Sequence, residues 1–295
     1  MQTKIILLGL ILSQAGYAQT FSEKITKELS FEKQSTENAL MISNLHGNIK
    51  VVGYAGEKIL LEATKSIDAK TEARLENGKA DVQLGIIDRA DTIIVYVRDS
   101  CHQFRKNKGG SNRSGWQPEG WGYQSIQNDC DPGYDYKMDF ILKVPARLNL
   151  VVNTINNGDV VVENVNGIVK ANNINGSIRL ANLTTQSEAR TINGDVDIDF
   201  STNPAKDCSF YSLNGDINAS FQPGLSANMS FESFNGSFYT NIQNMETLPL
   251  KVQKASHGEG VKYKINGSRY QIGNGGAFLD FETFNGNVYL KEKTK

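Results

Sequence analysis

The sequence predicts an all-β fold: a β-solenoid (β-helix-like) of Asn-Gly corner repeats, preceded by a β-rich N-terminal section. Three observations predict it. A short pattern recurs along the chain: apolar residues bracket Asn-Gly or a near variant, and two alternating apolar positions follow. Glycine is abundant at 27 residues and proline sparse at 6, and asparagine is also frequent. Gly and Asn are the residues that accept left-handed backbone at turns. Long helical patterns are scarce, which leaves many short strands.

Residues 1–18 read as an export signal. Lys4 supplies the positive start, Ile5 to Leu12 the apolar stretch, and Gly16-Tyr17-Ala18 a small-x-small cleavage site. The stretch is shorter than the roughly 20 residues a membrane span needs. The expectation is an exported chain in the periplasm, at the cell surface or outside the cell, with no transmembrane segment once mature. Removing Lys4 leaves 30 basic against 32 acidic residues. That near-neutrality speaks against a nucleic-acid binder.

Residues 19–98 form the β-rich section. Ile59 to Thr64 and Thr92 to Val97 are strand runs rich in β-branched and aromatic residues. Between them, Ile67 to Glu76 predicts a helix that stops at Asn77-Gly78. Residues 99–136 interrupt the pattern with many glycines, little apolar content and both tryptophans. This stretch reads as an insertion loop rather than a strand series. Cys101 and Cys130 bracket it. In an oxidising compartment they are the predicted pair, closing a loop of about 30 residues at about 3 kcal/mol. Cys208 is left as a small buried residue.

Residues 137–295 carry the repeat. Alternation resumes at Tyr136 to Val144, and Pro145 stops it. Measured from Gly47, Gly167, Gly176, Gly194, Gly215, Gly236 and Gly286, apolar residues recur at −5, −2, +2 and +4. Positions +2 and +4 share a strand face. Positions −5 and −2 do not, so the pattern predicts a bend between them, with all four positions inward. Antiparallel hairpins with Asn-Gly turns are the alternative, but they do not explain the near-constant spacing. Inner residues grow toward the C-terminus, to Phe231, Phe234, Phe238, Phe281 and Phe284. Asn175, Asn193, Asn214 and Asn235 are expected to stack as an amide ladder. The charged tail Lys291 to Lys295 is expected to discourage end-to-end growth.

In its signal peptide, the run Lys137-Met138-Asp139-Phe140-Ile141-Leu142-Lys143-Val144-Pro145 and the serial Asn-Gly motifs that follow, the chain resembles a bacterial family of exported β-strand-repeat proteins. These are described as putative adhesins, a domain of unknown function. The resemblance covers most of residues 40–295. It implies a β-solenoid outside the cytoplasm and supplies no catalytic residues.

Within the insertion, Trp116, Trp121 and Tyr123 stand beside Arg105 and Arg113. Aromatics on a closed loop stack on sugars or on a partner protein, and basic groups meet anionic polymers. The bland reading is that these rings fold back as the loop's own core. Asp159, Asp195 and Asp216 follow Asn-Gly turns, where ordinary turn chemistry outweighs a calcium row. Asp195, Asp197 and Asp199, with Glu188 and Glu232, make a polysaccharide hydrolase or lyase the enzymatic alternative. The favoured reading is a non-enzymatic scaffold without metal or cofactor. It binds a cell-surface glycan or envelope protein, or serves a structural or stress-signalling role in the envelope.

Overall fold

A computed structural model describes residues 19–106, 120–127, 129–249, 252–257, 260–265 and 267–294. Residues 1–18, where an export signal is expected, and Arg113 and Trp116 lie outside this set. Two large sheets face each other without closing on one another. The first is ordered β1 (Gln19–Leu29), β4 (Ile59–Ala69), β9 (Tyr134–Pro145), β3 (Ile49–Tyr54), β11 (Val160–Glu163), β13 (Ile178–Leu183), β15 (Val196–Phe200), β17 (Ile217–Phe221), β25 (Val288–Glu292), β19 (Phe238–Thr240). The second is ordered β20 (Met245–Leu248), β23 (Ser268–Ile272), β18 (Ala227–Asn235), β24 (Ala277–Asn285), β16 (Cys208–Asn214), β14 (Ser187–Asn193), β12 (Val169–Asn172), β10 (Asn149–Asn153), β2 (Ala39–Ser43), β6 (Thr92–Arg98), β5 (Gln83–Asp88). Two separate ribbons are β7 (His102–Lys106) with β8 (Trp121–Ser125), and β21 (Val252–His257) with β22 (Gly260–Ile265). The helix is α1 (Glu72–Asp81).

The chain crosses from the second sheet to the first around Gly47, Gly158, Gly176, Gly194, Gly215, Gly236 and Gly286, and successive passes pair in parallel. The result is β-solenoid-like. Ordinary strand alternation supplies the core: β14 buries Ser187, Ala189 and Thr191, and β15 buries Val196, Ile198 and Phe200. The inward positions before the glycine are therefore −5 and −3, on one straight strand. The expected bend between −5 and −2 is absent from these strands, and Ile174, Ile192 and Leu213 at −2 face outward, half-buried. Phe234 and Phe284 do the same, at 74% and 44% exposure, instead of enlarging the core. Gly167 differs from the other six: it lies on the return from β11 in the first sheet to β12 in the second.

Position −3 is the residue type that apolar patterning overlooks. It is Ser, Thr or Asn in unit after unit, buried, and hydrogen-bonded across to the neighbouring pass. Thr191 Oγ1 donates to the Gly176 carbonyl at 2.8 Å, Ser212 Oγ to Gly194 at 2.8 Å, and Thr283 Oγ1 to Gly215 at 3.2 Å. Asn173 Nδ2 reaches the Gly158 carbonyl and Asn44 Nδ2 the Met138 carbonyl. A buried carbonyl left unpaired would cost about 1–3 kcal/mol, so each side chain pins the turn beneath it.

Two more ladders run outside. Amides of Asn235, Asn285, Asn214, Asn193, Asn175 and Asn156 bond in sequence at 2.7–2.9 Å. One residue after each glycine, a side-chain oxygen accepts the N–H of the next pass. Asp159 accepts from Ser177, Asp195 from Asp216, and Asp216 from Asn287. These carboxylates serve the neighbouring pass rather than their own turn.

Spatial order departs from sequence order at both ends. The pass β2–β3 lies between β6–β9 and β10–β11, and β24–β25 lies between β16–β17 and β18–β19. β2 and β3, from the N-terminal section, thus pair directly with the repeat strands β10 and β11. The charged tail begins within β25, an inner strand, so its described residues do not guard the end of the stack; Lys293 instead pairs with Asp199 at 2.7 Å. The helix also starts later than expected. Ile67 to Ala69 finish β4, and Thr71 caps α1 by accepting the Arg74 N–H. Gly78, expected to end the helix, lies inside α1, where an added Cβ would lie 2.7 Å from Ile67 and 3.0 Å from Tyr134.

Candidate functional site

Residues 99–136 are not an open loop where the structure describes them. The segment supplies the β7–β8 ribbon and the first residues of β9, and Cys101 is bonded to Cys130. Asp99 anchors its start. The carboxylate, 4% exposed, accepts the Cys101 and His102 N–H groups, sits 3.0 Å from His102 Nδ1, and accepts the Tyr136 hydroxyl at 2.6 Å. Burial and then the bond to Asp99 push the Tyr136 phenol well above its ordinary value.

The ribbon lies flat on the outer face of the second sheet. Beneath it Met41, Ile94 and Val151 form a second small core, packed by Tyr96, Phe104 and Trp121. Phe104 stacks on Tyr96 at 4.6 Å and on Trp121 at 5.6 Å. Tyr123 donates its hydroxyl to the Ser43 carbonyl and accepts the Val97 N–H, both at 2.9 Å. Burial raises its phenol pKa. Tyr123 is thus an anchor of the ribbon, with its polar end already engaged.

The signal for this patch was in the strands below it. Leu40-Met41-Ile42, Leu150-Val151-Val152 and Ile93 to Val97 are apolar on both faces, as strands covered on both sides are. Three such runs on the neighbouring strands β2, β10 and β6 mark the place where something packs outside.

A cleft of about 530 Å3 opens beside the ribbon, floored by Met41, Ile94 and Val151 and bordered by Trp121, Arg89, Lys106 and Lys170. The Arg89 guanidinium lies 5.4 Å over the Trp121 ring, a cation–π contact on the indole that Phe104 also stacks against. Trp121 is consequently a wall of the cleft rather than a free platform. Lys170 is 3.5 Å from Glu188. Arg105 donates to Gln124, diagonally placed on the facing strand, at 2.7 Å. A smaller hollow of about 110 Å3 lies on the other side of Trp121, over Asn153 and Asn172.

The carboxylates of the enzymatic alternative along β15 each engage a neighbouring group. Asp195 accepts the Asp216 N–H, Asp197 accepts the Asn218 amide at 2.9 Å, and Asp199 pairs with Lys293. Among the described residues no group of three or more His, Cys, Asp and Glu is placed to hold a metal ion. No described helix is long and apolar enough to cross a membrane. Cys208 is buried and free, and burial raises its thiol pKa.

No curated protein matches the chain. Two solved structures are similar over 92% of it. One is a putative cell adhesion protein from Clostridium sporogenes, 9% identical with a TM-score of 0.43, covered over its full length. The other is a putative adhesin from Bacteroides fragilis, 13% identical with a TM-score of 0.37, covered over 97%. The family model of Toastrack DUF4097 matches residues 33–269, and the chain belongs to that family.

Proposed function

We propose that this protein is an exported, non-enzymatic β-solenoid scaffold whose Asn-Gly positions are the corners of its passes. It acts as an adhesion or envelope-binding module. The observation that carries the reading is the cleft beside β7–β8: an apolar floor on the outer sheet face, walled by Trp121 and the cations Arg89, Lys106 and Lys170. Lys106 and Trp121 come from the disulfide-closed segment 101–130, to which Arg113 and Trp116, outside the described residues, also belong in sequence. An aromatic and basic rim over an apolar floor suits an anionic cell-surface glycan, or an envelope protein with an acidic edge. A purely structural or stress-signalling role leaves this cleft without a ligand.

Glycan-array and whole-cell binding of the wild type against Arg89→Ala with Lys106→Ala tests the reading. These substitutions spare the Phe104 and Tyr123 contacts that hold the ribbon. Binding that falls at least tenfold supports it. Binding unchanged in the double variant, or wild-type binding to neither anionic glycans nor cells, overturns it.

A further inference from the structure

The two sheets end unequally at the Gly236 pass. The first sheet stops at β19, whose described strand partner is β25 alone. The second continues past β18 by two antiparallel strands, β23 and β20. At about 4.8 Å per strand, it overhangs the first sheet by roughly 10 Å. On the inner face of this overhang Ile272 is fully buried, while Tyr270 and Met245, both half-buried, point with the exposed Thr247 toward the places of two strands that the first sheet lacks. Phe238 reports the same deficit. The equivalent residues Ile178, Val196, Ile217 and Val288 are fully buried, whereas Phe238 is half-exposed between Phe231 and Tyr270.

The β19 edge also lacks the usual protection against strand pairing. The other three edges carry charge: Glu23, Lys24, Lys27 and Glu28 on β1, Asp88 on β5, and Glu246 on β20. β19 is Phe-Tyr-Thr. Inner passes send the N–H of the glycine and of the +2 residue to the next pass, as Gly286 does to Asn235 and Val288 to Ser237. Gly236 and Phe238 hold those positions at the end. Outside, Tyr239 stacks on Tyr289 at 5.0 Å and is 51% exposed.

We infer that the β19 edge and the overhang above it form a strand-accepting slot for one extended, uncharged segment of a partner protein. The segment adds to the first sheet through its backbone and places alternate apolar side chains against Phe238, Tyr270 and Met245. This is recognition by strand addition, in which main-chain bonds give affinity and alternate side chains give selectivity. A second copy is a poor occupant. Pairing two β19 edges about a two-fold axis puts both overhangs on the same side, where they collide. The slot lies on a different surface from the cleft beside β7–β8 and does not depend on it.

The probe is a capped peptide with the sequence of residues 284–290, Phe-Asn-Gly-Asn-Val-Tyr-Leu, which in the fold supplies the strand on the other side of β19. It is titrated into the full chain while backbone amide signals are followed. The expected result is saturable shifts at Phe238, Tyr239, Thr240 and Tyr270, absent with a scrambled peptide. Thr240→Pro removes an edge N–H, and Met245→Glu puts a charge under the overhang without altering the edge backbone. Each should weaken binding at least roughly tenfold. Shifts absent up to the solubility limit, or unchanged by both variants, overturn the inference. So does concentration-dependent dimerisation through β19, or evidence that β21 and β22 of the same chain occupy the slot.

Discussion

Replacing Gly194 with alanine tests how tightly the passes stack. The backbone there has φ +155, and an added Cβ would sit 2.3 Å from the Gly176 carbonyl oxygen and 2.5 Å from its carbon. Ordinary contact begins near 3.4 Å, so the two passes must part by about 1 Å. Both obstacles are backbone, and neither can rotate away. Such an opening takes the 2.9 Å bond from Gly176 N–H to the Asn193 carbonyl and the 2.8 Å Asn193–Asn175 amide bond beyond useful range. At about 1 kcal/mol each, plus about 1–2 kcal/mol for an L-residue at positive φ, the loss is about 3–4 kcal/mol. For a chain of this size that lowers Tm by about 10 °C. Gly224→Ala is the control: its φ is +81 and nothing lies within 4 Å of the added Cβ. Calorimetry of both variants separates the backbone cost from the collision. A Gly194→Ala chain that melts no lower than the Gly224→Ala chain refutes the close-stacking argument.

The interior ladder makes a paired prediction. Thr191→Val keeps the shape but strips the hydroxyl from the Gly176 carbonyl, and should cost about 1–2 kcal/mol in a melt. Asn173→Thr should be neutral or stabilising, because the buried Asn173 Oδ1 has no partner among the described residues. Cys101→Ala with Cys130→Ala opens a span of 29 residues and should lower stability by at most about 3–4 kcal/mol. The effect should concentrate in β7–β8 hydrogen exchange. Burial holds the His46 imidazole below its ordinary pKa, against the opposing pull of Asp99. On acidification below about 6.5 the unfolded chain binds a proton that the folded chain resists. His46 should therefore subtract stability as pH falls through that window and contribute nothing above it, and His46→Gln should flatten the slope of urea midpoint against pH.

The recurrence of glycine was legible in the sequence because the crossings at Gly194, Gly215 and Gly176 leave no room for a Cβ, which would strike the backbone one pass away. The amide ladder was legible for the same reason, since Asn before Gly recurs at the spacing of one pass. Position −3 was not. Thr191 and Ser212 are polar and buried, and an apolar template passes over them in favour of the outward Ile192 and Leu213. The inserted order of passes was also hidden, because hydrophobic spacing carries no information on which neighbour a strand pairs with; Gly286 repeats the Gly236 pattern but stacks inside it. In the candidate site, Trp121 and Tyr123 were visible as unusual residues in the interruption. Their engagement with Arg89 and Val97 depends on the both-sided apolar strands beneath, which is a tertiary fact.

The order of the last passes is tested most directly by engineered cross-linking in a Cys208→Ala background. In the fold Asn214 is the in-register partner of Asn285, and Asn235 lies one pass beyond it. Parallel neighbours come within the Cα separation a disulfide tolerates, and second neighbours, at roughly 10 Å, do not. Asn214→Cys with Asn285→Cys should oxidise to a bridged chain, and Asn214→Cys with Asn235→Cys should stay reduced. A bridge in the second pair and none in the first would mean that the passes stack in sequence order, contradicting the insertion of β24–β25.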